Sequence, residues 1–308
     1  MRIAALAGGV GAAKFLAGLV QEIPPEDLTV VVNTGDDFEW HGLTVCPDLD
    51  TVVYTLGGVA NPSTGWGLRG DTFQALGRLE ELGSDSWFRI GDRDLATHVY
   101  RTNRLRCGSS LSDVARALAA GSGVAAAILP MSDAPVRTRV HTDEGTLDFQ
   151  DYFVRRGCAP RVSGFTYEGS ERAAPAAGVL EAIDQASVVV VCPSNPFISI
   201  GPILAVRGVR QALRSTAAQV VAISPIVAGK ALKGPADQML RDAGLEVSAT
   251  SIARMYGDFA DGFVLDRRDA ALVPDVERLG MNVRAVETVM DSPATAARLA
   301  RAVLEMLP

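Results

Sequence analysis

The chain opens on a continuous apolar run, Ile3-Ala4-Ala5-Leu6-Ala7, with no alternation between apolar and polar positions. A strand apolar at every position has both faces covered, as in the parallel sheets of α/β proteins. Gly8-Gly9-Val10-Gly11 ends the run, and the spacing from about Ala12 to Gln21 predicts a helix. After the Pro24-Pro25 break, Leu28 to Asn33 reads as a second buried strand. Further runs of this kind are Val124 to Leu129, Ser187 to Cys192 and Gln219 to Ser224, separated for the most part by helical patterns.

Three helical patterns, around Thr72–Leu82, Leu95–Arg104 and Leu111–Ala120, follow one another with no strand between them, and predict a helical insertion over roughly residues 60–120. Val136 to His141 and Thr146 to Phe153 alternate instead, flanking Asp143-Glu144-Gly145, which is a hairpin signal. Asp291-Ser292-Pro293 caps a last helix, Ala294 to Met306. The expectation is one α/β domain over residues 1–308: a Rossmann-like, doubly wound, mostly parallel sheet with a helical insertion and a small β-hairpin decoration.

Composition narrows the class of partner. Net charge is −7 and the pI near 5.1, which disfavours nucleic acid as the main partner. No apolar run approaches the roughly 18 residues of a membrane span, and the N-terminus enters its first strand without room for a signal peptide. Cys46, Cys107, Cys158 and Cys192 stand singly, as free thiols do in a reducing cytoplasm, so a cytoplasmic protein is expected. Only Lys14, Lys230 and Lys233 are lysines among 29 basic residues, and each adjoins a glycine-bearing segment. Such exceptions mark places where a compact ammonium suits better than a planar fork.

Gly8-Gly9-Val10-Gly11-Ala12-Ala13-Lys14 occupies the strand-to-helix position of phosphate-binding loops, where backbone N–H groups and the helix N-terminus attract an anion. It lacks the Gly-Lys-Ser/Thr ending of a Walker A loop. Lys14 stands where a dinucleotide fingerprint has its third glycine, and Asn33 replaces the acidic ribose reader. Asn33-Thr34-Gly35-Asp36-Asp37 and Pro47-Asp48-Leu49-Asp50 both fall where strand ends form the ligand crevice. Carboxylates grouped there beside a phosphate loop point to a divalent cation such as Mg²⁺, with Asp37 and Asp50 the favoured ligands. Asp48 is a further candidate ligand, or alternatively a helix cap.

Trp66–Thr72 and Gly91–His98 are polar segments opening helices, with Arg89 and Arg93 offering forks suited to phosphate. Pro193-Ser194-Asn195-Pro196 and Ser224 to Lys230 each follow a predicted strand and have the Ser/Gly/Pro texture of a nucleotide rim. Neither a GxSxG elbow nor an HExxH helix is present, which weakens hydrolase and zinc-enzyme readings.

Taken in order, these tracts together with Pro130–Asp133 and Phe149–Asp151 resemble the 2-phospho-L-lactate transferase family of coenzyme F-420 biosynthesis, nearly end to end. Gly-Asp-Arg-Asp-Leu-Ala-Thr-His and Pro-Ser-Asn-Pro-x-x-Ser-Ile-Gly-Pro are its most specific strings. The resemblance implies a Mg²⁺-dependent transferase, active as a homodimer, that moves a phosphorylated three-carbon acid (lactyl, enolpyruvyl or glyceryl) from a guanosine diphosphate conjugate to the deazaflavin Fo, releasing GMP. On that reading Gly9, Gly11, Lys14, Ser194, Asn195, Ser224 and Lys230 hold the donor. Asp37 and Asp50 are catalytic, Asp37, Asp48 and Asp50 are the metal candidates, and Asp50, Arg89 and Arg93 face Fo.

Two other classes remain open on sequence alone. One is a nucleotide- or sugar-nucleotide-binding regulator of the gluconeogenesis-factor type, which shares the glycine-rich opening. The other is a Rossmann NAD(P) oxidoreductase, which Asn33 and Lys14 weaken.

Overall fold

The structure is a computed structural model, and residues 1–307 are described. Its centre is a seven-stranded sheet. Along the chain the strands are β1 (Ile3–Ala7), β2 (Leu28–Val32), then, after the short hairpin of β3 (Phe38–Trp40) and β4 (Leu43–Val45), β5 (Ala127–Pro130). An antiparallel sheet of β6 (Arg137–Thr142), β7 (Gly145–Asp148) and β8 (Val162–Glu168) intervenes before β9 (Val188–Val191) and β10 (Gln219–Ile223). A two-residue-strand hairpin, β11 (Ile226–Val227) with β12 (Lys230–Ala231), precedes β13 (Gly262–Asp266) and β14 (Asn282–Val286). The central order is β14-β13-β10-β9-β1-β2-β5, and every pairing in it is parallel. This is the expected doubly wound sheet.

Burial on both faces explains the unbroken apolar runs. Ala4 and Leu6 of β1 join Val189 and Val191 in a core against helices on one side. Ile3, Ala5 and Ala7 join Val188 and Val190 in the core on the other side, with Phe15, Leu16 and Val303. Because the chain runs from β1 to β2 in one direction along the sheet and from β9 to β10 in the other, the carboxyl ends of β1 and β9 mark the sheet's switch point, where α/β proteins hold their ligands.

Several boundaries differ from the sequence reading. The first helix, α1 (Gly9–Leu19), starts inside the glycine tract, so those glycines form its first turn. The helix α2 (Pro47–Leu56) carries Asp48 and Asp50, and α3 (Gln74–Glu81), α4 (Asp92–Arg106) and α5 (Leu111–Gly121) follow. The second arm of the expected hairpin stops at Asp148. The chain then coils through a π-helical turn, Asp151–Arg155, because Phe149 and Tyr152 both turn inward against Val140, Val162 and Met239. β8 pairs with the free edge of β6, making three strands of the expected two. The last helix, Pro293–Leu304, begins with a capping box in which Ser292 and Thr295 bond reciprocally.

Candidate active site

At the switch point, the glycine tract is shaped by its neighbours. Gly9 has φ +72°, a left-handed conformation that glycine adopts without strain. A Cβ on Gly11 would stand 2.5 Å from the Pro193 carbonyl oxygen, so the loops after β1 and β9 touch backbone to backbone. Ser194 fastens the same seam: its hydroxyl donates to the Gly8 carbonyl at 2.9 Å. Asn195 accepts from the Phe197 amide at 2.9 Å and so caps the turn that follows. The Ser224 hydroxyl is likewise engaged locally, with Ile226.

α1 has no side-chain cap of its own, since its N-cap residue is Gly8. Asp48 supplies one, accepting from the Gly9 backbone and from Asn33 Nδ2 at 2.9 Å. Asn33 also donates to the Ile198 carbonyl and accepts from the Gly35 amide, which leaves it knitting loops together rather than reading a ribose. Burial pushes the Asp48 carboxyl up to about 6 against these bonds. Buried Asp36 is also raised well above its ordinary value, by desolvation and then by the Asp48 charge.

Asp48 and Asp50 stand two positions apart on a helix and therefore point to different sides. Asp50 faces α4, where Arg101 donates to its Oδ1, and Asp37 lies close enough to feel both Asp50 and Arg101. The three metal candidates are thus divided: Asp37 and Asp50 share one environment, and Asp48 belongs to the α1 terminus. Burial raises Asp37 to about 7, opposed by Arg137, a Cys46 hydrogen bond and Arg101. Burial also raises Asp50, against the Arg101 guanidinium. Asp37 Oδ1 and Asp50 Oδ2 are buried oxygens without a hydrogen-bond partner. Two unclaimed buried carboxylate oxygens are costly unless something else satisfies them, and a hard cation with oxygen ligands fits that requirement.

Asp50, Asp94 and His98 also gather ligand atoms within 4.8 Å of one another. There, however, Asp50 Oδ1 is held by Arg101, and Asp94 Oδ1 accepts from the Tyr54 hydroxyl at 2.7 Å. Asp94 ends below its ordinary value, because His98, Tyr54 and Arg101 together outweigh its burial.

A cavity of about 410 Å³ opens beside Asp36 and Asp37, walled by Phe38, Trp40, Trp87 and Phe149 and edged by Arg137. A smaller one, about 180 Å³, is lined by Trp66, Phe73 and Arg89, whose guanidinium lies 4.4 Å from the centre of the Phe73 ring. Arg93 is turned elsewhere, donating to the Arg69 carbonyl at 3.1 Å. Lys14 and Lys233 rest on the carbonyls of Met290 and Thr64, each at 3.2 Å. Burial, then the Lys14 charge, lowers the pKa of Lys233, so the two ammonium groups are neighbours. Lys230 is exposed on β12.

Sequence reasoning did not single out Arg101, Arg137 or the aromatic wall. Arg101 had one available signal: it lies at helical spacing from Asp94 and His98, on the same face of α4.

Residues 3–303 match the family described as 2-phospho-L-lactate transferase CofD. A phosphoenolpyruvate transferase of Streptomyces griseus is 45% identical over 99% of this chain and 98% of its own length. A 2-phospho-L-lactate transferase of Methanosarcina mazei is 41% identical, covering 97% of this chain and 98% of its own. In fold, the chain resembles a Bacillus halodurans protein of the UPF0052 family with a TM-score of 0.64 at 16% identity, over 98% of each chain. With full-length coverage and a family match spanning nearly every element, the chain belongs to the 2-phospho-L-lactate transferase CofD family and is a transferase of coenzyme F-420 biosynthesis.

Proposed function

We propose that this transferase moves a phosphorylated three-carbon acid from a guanosine diphosphate conjugate onto the ribityl 5′-hydroxyl of Fo, with GMP as the leaving group. The observation that carries the reading is the pair of unclaimed buried oxygens, Asp37 Oδ1 and Asp50 Oδ2, on side chains close enough to feel each other's charge. Those two side chains would hold Mg²⁺, which when bound neutralises the phosphate charge that develops during transfer. On this reading Asp50 Oδ2, which has no partner of its own, accepts the hydroxyl proton of the acceptor. The glycine tract and Lys14 hold the diphosphate from below, and Ser194, Asn195 and Ser224 keep the facing loops in register. Lys230 borders the donor from its hairpin. Arg89 on Phe73, beside Trp66, offers flat surfaces to the acceptor ring.

Little covalent chemistry is asked of the protein, which matches a site built from charge and positioning. The actinobacterial relatives carry the name phosphoenolpyruvate transferase, so the enolpyruvyl donor is the first to test. Mass spectrometry of the product formed from Fo with each candidate donor tests the reading, and no Fo-derived product with any of the three overturns it. The same reading makes the enzyme a homodimer in solution, which light scattering checks.

A further inference from the structure

Arg101 is 1% exposed and is among the largest fully buried side chains in the molecule. Burying a guanidinium costs several kcal/mol unless its donors are met. Its Nη2 donates to Asp50 Oδ1, and its Nη1 to His98 Nδ1 at 3.0 Å and to the Thr44 carbonyl at 3.3 Å, while its Nε has no acceptor. Asp94, His98 and Arg101 recur at helical spacing along α4 and oppose Asp50 and Tyr54, one turn apart on α2. The result is a polar seam with Arg101 meeting Asp50 at one end and Tyr54 meeting Asp94 at the other.

A guanidinium can only donate, so the His98 Nδ1 that faces it must be an acceptor. The ring proton then lies on Nε2, turned toward Asp94 Oδ1 at 3.6 Å. His98 therefore has no proton to give Asp50 Oδ2, although its Nδ1 stands 3.8 Å away. Arg101 takes one oxygen of Asp50 directly and keeps the nearest donor off the other.

We propose that Arg101 is the positioning residue of this site: it locks the Asp50 carboxylate in one orientation with Oδ2 free and aimed at the reaction centre. The proposal rests on the reading that Asp50 works at the transferred phosphoryl group. Lysine at this position reaches one of the three acceptors and keeps the charge. R101K is expected to lose kcat by about 10-fold or more, and to weaken Mg²⁺ binding of the donor-free protein in calorimetry by a similar factor, with the donor KM little changed. T102V is the structural control, because the Thr102 hydroxyl ties α4 to the Thr44 amide at 2.8 Å without touching Asp50. It is expected to lower the melting temperature while leaving kcat and Mg²⁺ binding at parental values. Parental kcat and Mg²⁺ affinity in R101K, beside an inactive D50N, overturn the positioning role alone. Losses in T102V matching those of R101K overturn it too, by tracing the effect to helix docking. A fully active D50N removes Asp50 from the chemistry, and this inference with it.

Discussion

Asp71 and Asp92 cap each other's helices. The Asp71 carboxylate accepts from the Arg93 and Asp94 amides at the start of α4, at 2.8 and 3.0 Å. Asp92 accepts from the Gln74 and Ala75 amides at the start of α3, at 3.0 and 2.9 Å. The exchange matters most for α3, which buries no residue and so has little apolar packing to hold it. Asp92→Ala should therefore release α3 locally. Hydrogen exchange is expected to show fast exchange over residues 74–81 while β1, β2 and β9 keep parental protection. Uniform loss of protection, or none over α3, would refute this arrangement of caps.

The two proposed metal carboxylates should respond oppositely in stability. Asp37 is a buried carboxylate whose desolvation outweighs its counter-charges, and its Oδ1 has no partner. Asp37→Asn should abolish most turnover while melting at or above the parent temperature in metal-free buffer. Asp50 is the acceptor of buried Arg101, so Asp50→Asn leaves that cation uncompensated and should cost about 3 kcal/mol as well as activity. Denaturant melts of both variants, with turnover measured alongside, decide the point. Retained activity in both, together with activity in EDTA, would remove the metal assignment.

Much of this arrangement could be read along the chain, and the exceptions have physical causes. β1, β2, β9 and β10 are parallel strands covered on both faces, so their unbroken apolar runs identify them. β14 is an edge strand, mostly half-buried, with Arg284 at its centre, and β13, although buried throughout, has only Phe263-Val264-Leu265 between Gly262 and Asp266. Neither has that run. The carboxylates of the site are visible because they cluster in short tracts after strands. Their division is not visible, because it depends on which way α2 is rotated: Asp48 goes to α1 and Asp50 to α4. Arg101 is hidden for a related reason. A charged residue in a charged helix reads as solvated, and only the packing of α4 against β4 and α2 buries it.

Stability in the metal-free state should fall as pH rises from mildly acid to mildly alkaline. Asp37 and Asp48 have folded pKa values raised to about 7 and about 6, from an ordinary value of 3.8. The fold thus binds more protons than the unfolded chain between those values, and the stability this contributes is full below 3.8 and lost as pH climbs through 6 and 7. Asp266, lowered to about 2, acts in the opposite sense but only at acid pH. Melting temperatures between about pH 5 and pH 8 should decline by several degrees, and Mg²⁺ should restore more at the alkaline end, where the carboxylates are ionised. A flat or rising profile in EDTA would contradict the burial assigned to these groups.

Arg89 and Arg93 separate the proposed acceptor site from its scaffold. Arg89 lies over the Phe73 ring and lines the wall of a cavity. Arg93 instead donates to the Arg69 carbonyl, holding the turn that precedes Asp71. Lysine replaces a single donated hydrogen bond tolerably but cannot reproduce a planar stacked fork. Arg89→Lys should therefore weaken Fo binding by about 10-fold, an energy near 1.4 kcal/mol and within the range of a partly desolvated cation–π contact. Arg93→Lys should bind Fo within about 2-fold of the parent, well below the energy of that contact. Fo fluorescence titration reads both variants directly. Equal losses would return Arg93 to the acceptor site, and parental binding in Arg89→Lys would take the ring away from the Phe73 cavity.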